Sequence, residues 1–172
     1  MGHFQTVAGL VALVGLSTSA AAAPNACMTE PEVIALVGYM APAVLRTATK
    51  TCGSTLGPNT YLATSGGALI ATYQANAERT WPAARTAMLK LAGEDQKDAA
   101  ELLANLSDNA LRELMNQGLV QAVAKDIKVK DCAKIDRVVR SLAPVAPETV
   151  TQLVAGLMTL VKEESFPVCE AS

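Results

Sequence analysis

The sequence predicts an all-α protein, a compact antiparallel bundle of about six to seven helices stapled by two disulfides. Three observations carry that prediction. Alanine, the best helix former, occurs 31 times among 172 residues, whereas the strand-favouring aromatics amount to 3 Tyr, 2 Phe and 1 Trp. Apolar residues recur at helical spacing, and no stretch alternates apolar with polar between turns as a half-buried strand does. The 4 Cys are an even number and include no Cys-x-x-Cys. They read as disulfides in an oxidising compartment, not as zinc ligands or a thioredoxin-type motif.

At the front, residues 7–16 (VAGLVALVGL) form an apolar run, followed by Ser17, Thr18, Ser19 and the small residues 20–23. This is the pattern of a secretory signal peptide, although the leading MGHFQT carries no Lys or Arg. Cleavage is expected at Ala22 or Ala23, so that residues 1–23 are removed and residues 24–172 form a single helical domain. A run of ten apolar residues falls well short of the ~20 that a spanning helix needs. The later segment 150–161, of twelve residues, is also too short for a span and holds Thr151, Gln152 and Thr159. Cys27 follows Pro24-Asn25-Ala26, which is not a lipid-attachment context. The expected destination is the bacterial periplasm or the exterior.

The helices follow in order. Thr29-Glu30-Pro31-Glu32 is a capping box, in which hydroxyl and carboxylate satisfy each other's free N–H groups. The first helix starts there with Val33, Ile34, Val37, Met40, Val44 and Leu45 on its apolar side, and Pro42 should kink or break it near residues 38–41. After the turn Gly57-Pro58-Asn59, a second helix carries Leu62, Leu69, Ile70 and Tyr73 and is interrupted by, or starts after, Gly66-Gly67. Thr80-Trp81-Pro82 looks like the start of a third, with Ala84, Met88 and Leu91 in line and Gly93 as its stop. Asp95 can cap a fourth, where Ala99, Leu102, Leu103 and Leu106 face inward. Ser107 caps a fifth with the stripe Leu111, Leu114, Met115, Leu119 and Val123. Ile135, Val138, Val139 and Leu142 make a short sixth that Pro144 ends. Pro147-Glu148 opens a seventh with Val150, Leu153, Val154, Leu157 and Val161 expected inward.

Cysteine pairing follows from the shape of the first helix. If the last two helices form an antiparallel hairpin, Cys132 meets Cys169, and Cys27 pairs with Cys52 across a helix folded back at Pro42. If the first helix is continuous, a rise of ~1.5 Å per residue puts Cys27 and Cys52 nearly 40 Å apart, far beyond bonding range. The pairs are then Cys27 with Cys169 and Cys52 with Cys132. Spacing alone leaves both schemes open.

No motif assigns an activity. The only histidine, His3, lies in the expected leader, so the mature chain lacks the usual general base, the Ser-His-Asp and Cys-His arrangements, and a histidine metal ligand. Ser65, in Thr64-Ser65-Gly66-Gly67, is not in a nucleophile elbow and reads as a cap or turn. Glu94, Asp95, Asp98 and Glu101 lack the spacing of a calcium loop and suit the positive end of a helix. Lys125, Lys128, Lys130, Lys134, Arg137 and Arg140, offset by Asp126, Asp131 and Asp136, form a solvated face or a contact for an acidic partner or anionic membrane surface. With 14 basic against 16 acidic residues, no cationic surplus exists for nucleic acid. No catalytic, cofactor or metal residue is therefore singled out. The chain is expected to be an exported, non-enzymatic interaction or accessory module with an unidentified protein partner. The alternatives are a carrier of a small apolar ligand, its packing thinned at Gly66, Gly67, Gly118 and Gly156, and a histidine-free enzyme.

Overall fold

A computed structural model describes residues 27–95, 97–160 and 168–169. His3, the expected cleavage residues Ala22 and Ala23, and Val161 lie outside them. The described residues form helices α1 (Glu30–Leu56), α2 (Tyr61–Asp95), α3 (Lys97–Ala104), α4 (Asp108–Asp126), α5 (Cys132–Leu142) and α6 (Pro147–Leu160), with a single 3₁₀ turn at Val129–Asp131. The only extended pairing among them is an isolated parallel bridge between Met28 and Val168.

The capping box forms as the sequence requires. Glu32 Oε2 accepts from the Thr29 N–H at 2.8 Å and from the Thr29 hydroxyl at 3.0 Å, and it also takes the Lys90 ammonium at 2.8 Å. From this start α1 runs unbroken for 27 residues, straight through Pro42. The expected break is absent because an interior proline forfeits one backbone bond, at about 3 kcal/mol, whereas Val37, Tyr39, Pro42 and Ala43 around it are all buried. The same correction applies to α2, which merges two expected helices into one of 35 residues and passes through both Gly66-Gly67 and Pro82. Trp81, placed by sequence at a helix start, is instead a central anchor of α2. Its ring lies 4.8 Å from that of Tyr39, its indole N–H donates to Asp108 Oδ2 at 3.0 Å, and the Arg112 guanidinium stacks 4.5 Å above it.

The α1–α2 hairpin is the frame of the molecule. Gly57, at φ 87°, makes the turn out of α1 in a conformation open to glycine. Gly66 lets the two helices approach, since a Cβ there would stand 3.0 Å from Thr49 Oγ1. Along α2, Tyr73, Ala77, Trp81, Ala84 and Met88 repeat at three- and four-residue steps and are buried. Ala77, Trp81, Ala84 and Met88 meet Val33, Leu36, Val37 and Tyr39 of α1 in the main core. Ser107 caps α4 by accepting from the Ala110 N–H at 3.3 Å. Only Leu111 of the α4 stripe is fully buried. Leu114 is half exposed, because α4 lies on the hairpin without a further layer over it.

Since α1 is continuous, the second pairing scheme is the one observed. Cys27 bonds Cys169 and Cys52 bonds Cys132, with Cα–Cα distances of 4.9 and 5.2 Å. Cys52, Leu62 and Cys132 form a second, smaller core at the turn end of the hairpin, with Leu56, Ile127, Ile135 and Val139 packed on it. Beside it the buried Asp136 of α5 accepts from the Leu62 N–H at 2.8 Å and from Arg140 at 3.2 Å. A carboxylate from one helix thus caps the free N-terminus of another, 74 residues away in sequence. At the opposite end, Cys169 N–H donates to the Met28 carbonyl at 2.9 Å. No described helix is long and apolar enough to cross a membrane.

Two outcomes follow from these contacts. Asp136→Ala should destabilise the protein by about 2–3 kcal/mol in denaturant titration without changing the slope, since it strands the buried Leu62 N–H. Burial acts to raise the Glu32 pKa, but hydrogen bonds from Lys90 and Thr29 outweigh it and hold the carboxyl below its ordinary 4.5. A group depressed on folding contributes stability that is present above its unfolded pKa and lost as pH falls through the folded one. Melting temperature should therefore drop below about pH 4.5, and Glu32→Gln should be less stable at neutral pH yet lose less on acidification.

Candidate functional site

The helices that follow the hairpin lie along α1 in succession. The Cys52–Cys132 bond ties the start of α5 to the last turns of α1, and α5 runs back to Leu142. After the short 143–146 connection, α6 continues toward the Cys27 end, burying Val150, Thr151 and Ala155. The corner between α5 and α6 comes to stand over the middle of α1. There the side chains do not close, and a cleft of ≈ 250 Å³ remains.

Each wall of the cleft is a helical stripe. Val37, Met40, Ala41, Val44 and Leu45 come from α1 at spacings of three and four, and Leu69 and Tyr73 from α2 one turn apart. Val139 and Leu142 close one side from α5, and Val150, Thr151, Val154 and Met158 the other from α6. The lining is hydrocarbon apart from the Met40 and Met158 sulfurs and two hydroxyls. That of Thr151 donates to the Glu148 carbonyl at 2.9 Å. That of Tyr73 has no hydrogen-bond partner among the described residues, although the residue is only 5% exposed. Burial raises the Tyr73 pKa, and the nearby Glu148 carboxylate raises it further, so the phenol stays protonated at neutral pH. Glu148 is itself paired with Arg79.

Outside the cleft, α6 presents leucines to solvent. Leu153, Leu157 and Leu160 are 58%, 62% and 78% exposed, where the sequence pattern placed the first two inward. The apolar arc of α6 is wider than the surface it packs against. Thr151, Ala155 and Met158 share the face turned to the bundle, and the leucines lie around the helix from it. This row borders a shallow groove that shares Leu142, Val150 and Val154 with the cleft, so the exposed apolar surface runs into the cleft mouth.

The other residues singled out by sequence do not converge. Ser65 Oγ meets only the neighbouring Thr64 hydroxyl at 3.4 Å. In the basic set, Lys134 pairs with Asp131 at 3.5 Å and Arg140 with Asp136 at 3.2 Å. The side chains of Glu94 and Asp95 lie outside the described residues. Among those described, no three His, Cys, Asp or Glu side chains gather as metal ligands. Of the four glycines thought to thin the packing, Gly66 is a close contact between helices, and none lines the cleft. The cleft residues were legible as core positions, but nothing in their spacing marks them as a gap. Comparison with protein-family models, with curated proteins and with solved structures finds no match to this chain.

Filling the gap should pay, in thermodynamic terms, without disturbing the walls. Ala41→Leu places methyl groups in the open volume and should stabilise the free protein by about 0.5–2 kcal/mol, a rise of a few degrees in melting temperature by calorimetry.

Proposed function

We propose that this is an exported, disulfide-stapled binding protein that carries a small apolar ligand in the cleft between α1, α2, α5 and α6. The observation that carries the reading is the cleft itself, ≈ 250 Å³ of apolar-lined space opening beside an exposed leucine row. An unfilled apolar gap leaves its lining without dispersion partners, and a hydrocarbon ligand restores them. A dry cavity of about 150 Å³ holds benzene, so this one suits a chain of about six to eight carbons. The lining offers no acid–base pair and no activated nucleophile, which favours retention over conversion of what binds. Export is supported by the two disulfides, which persist where thiols are kept oxidised, and by the apolar leader at residues 7–16.

Calorimetric melting in the presence of hexane, 1-hexanol and other six-carbon probes tests this. A ligand at a hundred times its Kd should add about 2.7 kcal/mol of stability. Ala41→Leu should melt higher than wild type when free and respond less to the same probes. If no apolar probe raises the melting temperature of the wild type, the carrier reading fails, and a module acting through the exposed leucines of α6 takes its place.

A further inference from the structure

We infer that the α5–α6 face docks reversibly on an anionic lipid surface, with Leu153, Leu157 and Leu160 entering the outer acyl region while Lys134 and Arg137 meet head-group phosphates. This goes beyond the carrier reading and does not need a ligand in the cleft.

The apolar part of the face is one row. Leu153, Leu157 and Leu160 follow one another at four- and three-residue steps on α6, and all are more than half exposed. They line the shallow groove together with Leu142, the last residue of α5. On α5, Val138 stands one turn before Leu142 on the same side of the helix and is 56% exposed, and Lys134 stands one turn before Val138. The row therefore continues from α6 along α5 and ends in a cation. Arg137, exposed as well, adjoins Val138 in the chain.

Charge is divided along this row. From Ser141 to Leu160 the chain carries one charged residue, Glu148, and Arg79 pairs with it. From Lys125 to Arg140 six cations stand against Asp126, Asp131 and Asp136. Asp136 is buried and spent on the Leu62 N–H and Arg140, and Asp131 pairs with Lys134. Lys128, Lys130 and Arg137 have no ion pair among the described residues. An apolar row that ends in surplus cations complements a bilayer, whose acyl chains lie beneath anionic phosphates. Either signal alone is weak, and the two together suffice for reversible attachment. A second copy of the chain fits less well. The three leucines expose about two whole leucine side chains between them, well short of the ~800 Å² that each partner gives to a stable dimer.

Flotation of the full mature chain with vesicles tests this, using phosphatidylcholine alone and phosphatidylcholine with about 30% phosphatidylglycerol. Wild type should partition at least about tenfold more strongly to the anionic vesicles and lose that preference in about 0.5 M salt. Leu153→Ser/Leu157→Ser should weaken anionic binding about tenfold or more. Lys134→Gln/Arg137→Gln should weaken it about 20-fold, near fivefold for each charge. Leu102→Ser, at an exposed leucine of α3, should change nothing. All three variants should melt within about 2 °C of wild type, because the side chains are exposed. A larger fall in the leucine pair would show the row packed within the protein and overturn the inference. It is also overturned if wild type ignores anionic vesicles, if either double variant binds them as wild type does, or if Leu102→Ser weakens binding as much. Sedimentation that shows a dimer dissociated by the leucine pair would give the face to a second copy, with the same result. The carrier reading stands or falls separately, on whether apolar probes raise the melting temperature.

Discussion

The corner where Cys52, Leu62, Cys132 and Asp136 meet governs the rest of the molecule. The disulfide fixes the first residue of α5 against α1, and the Asp136 carboxylate fixes the second turn of α5 against the N-terminus of α2. Together they hold α5 to both arms of the hairpin at once. A helix of 11 residues has little standing of its own in water. Tied at this corner, it becomes a wall, and the short connection after it commits α6 to start over the middle of α1. Crosslinking residues 80 apart also removes a large loop entropy from the unfolded chain, worth about 4 kcal/mol in the chain-entropy account.

The two ends of the bundle solve the same problem by different chemistry. At the turn end an acidic side chain is drawn in to serve a backbone N–H. At the terminal end Glu32 serves Thr29 and is itself held by Lys90, both side chains about 15% exposed. A paired charge this far from water is costly unless its hydrogen bonds are complete. Here Glu32 accepts three, and the same Lys90 ammonium also donates to the carbonyl of disulfide-bonded Cys27 at 3.5 Å. Between these anchored ends α1 and α2 pack through Leu36, Val37 and Tyr39 against Ala77, Trp81 and Ala84. The middle of the bundle is where α5 stops and α6 begins, and it is the place where the walls leave room.

That room has a physical cost. Val37, Met40, Val44, Tyr73 and Val150 bury much of their surface against neighbours and present the remainder to the gap. Apolar atoms without a partner on one side forfeit part of their dispersion energy, and a ligand recovers it. The leucine row of α6 extends the same surface outward, so an apolar molecule can reach the cleft along a continuous hydrocarbon path.

Helix content, the capping box at Thr29 and Glu32, the Ser107 cap and the use of cysteine for disulfides were all legible from the sequence by itself. Each is a local signal, satisfied within a few residues of the chain or by composition alone. Only the tertiary structure decided that α1 and α2 run through Pro42 and Pro82, because the packing of the two helices offsets the bonds those prolines remove. That continuity in turn decided the disulfide pairing, which spacing had left open between two schemes. The outward turn of Leu153 and Leu157 and the existence of the cleft belong to the same category. A periodic apolar stripe shows that a face is available for burial, whereas what covers it depends on where distant helices come to rest. A gap among core positions is a shortfall in packing between four helices, and no one segment of the chain encodes it.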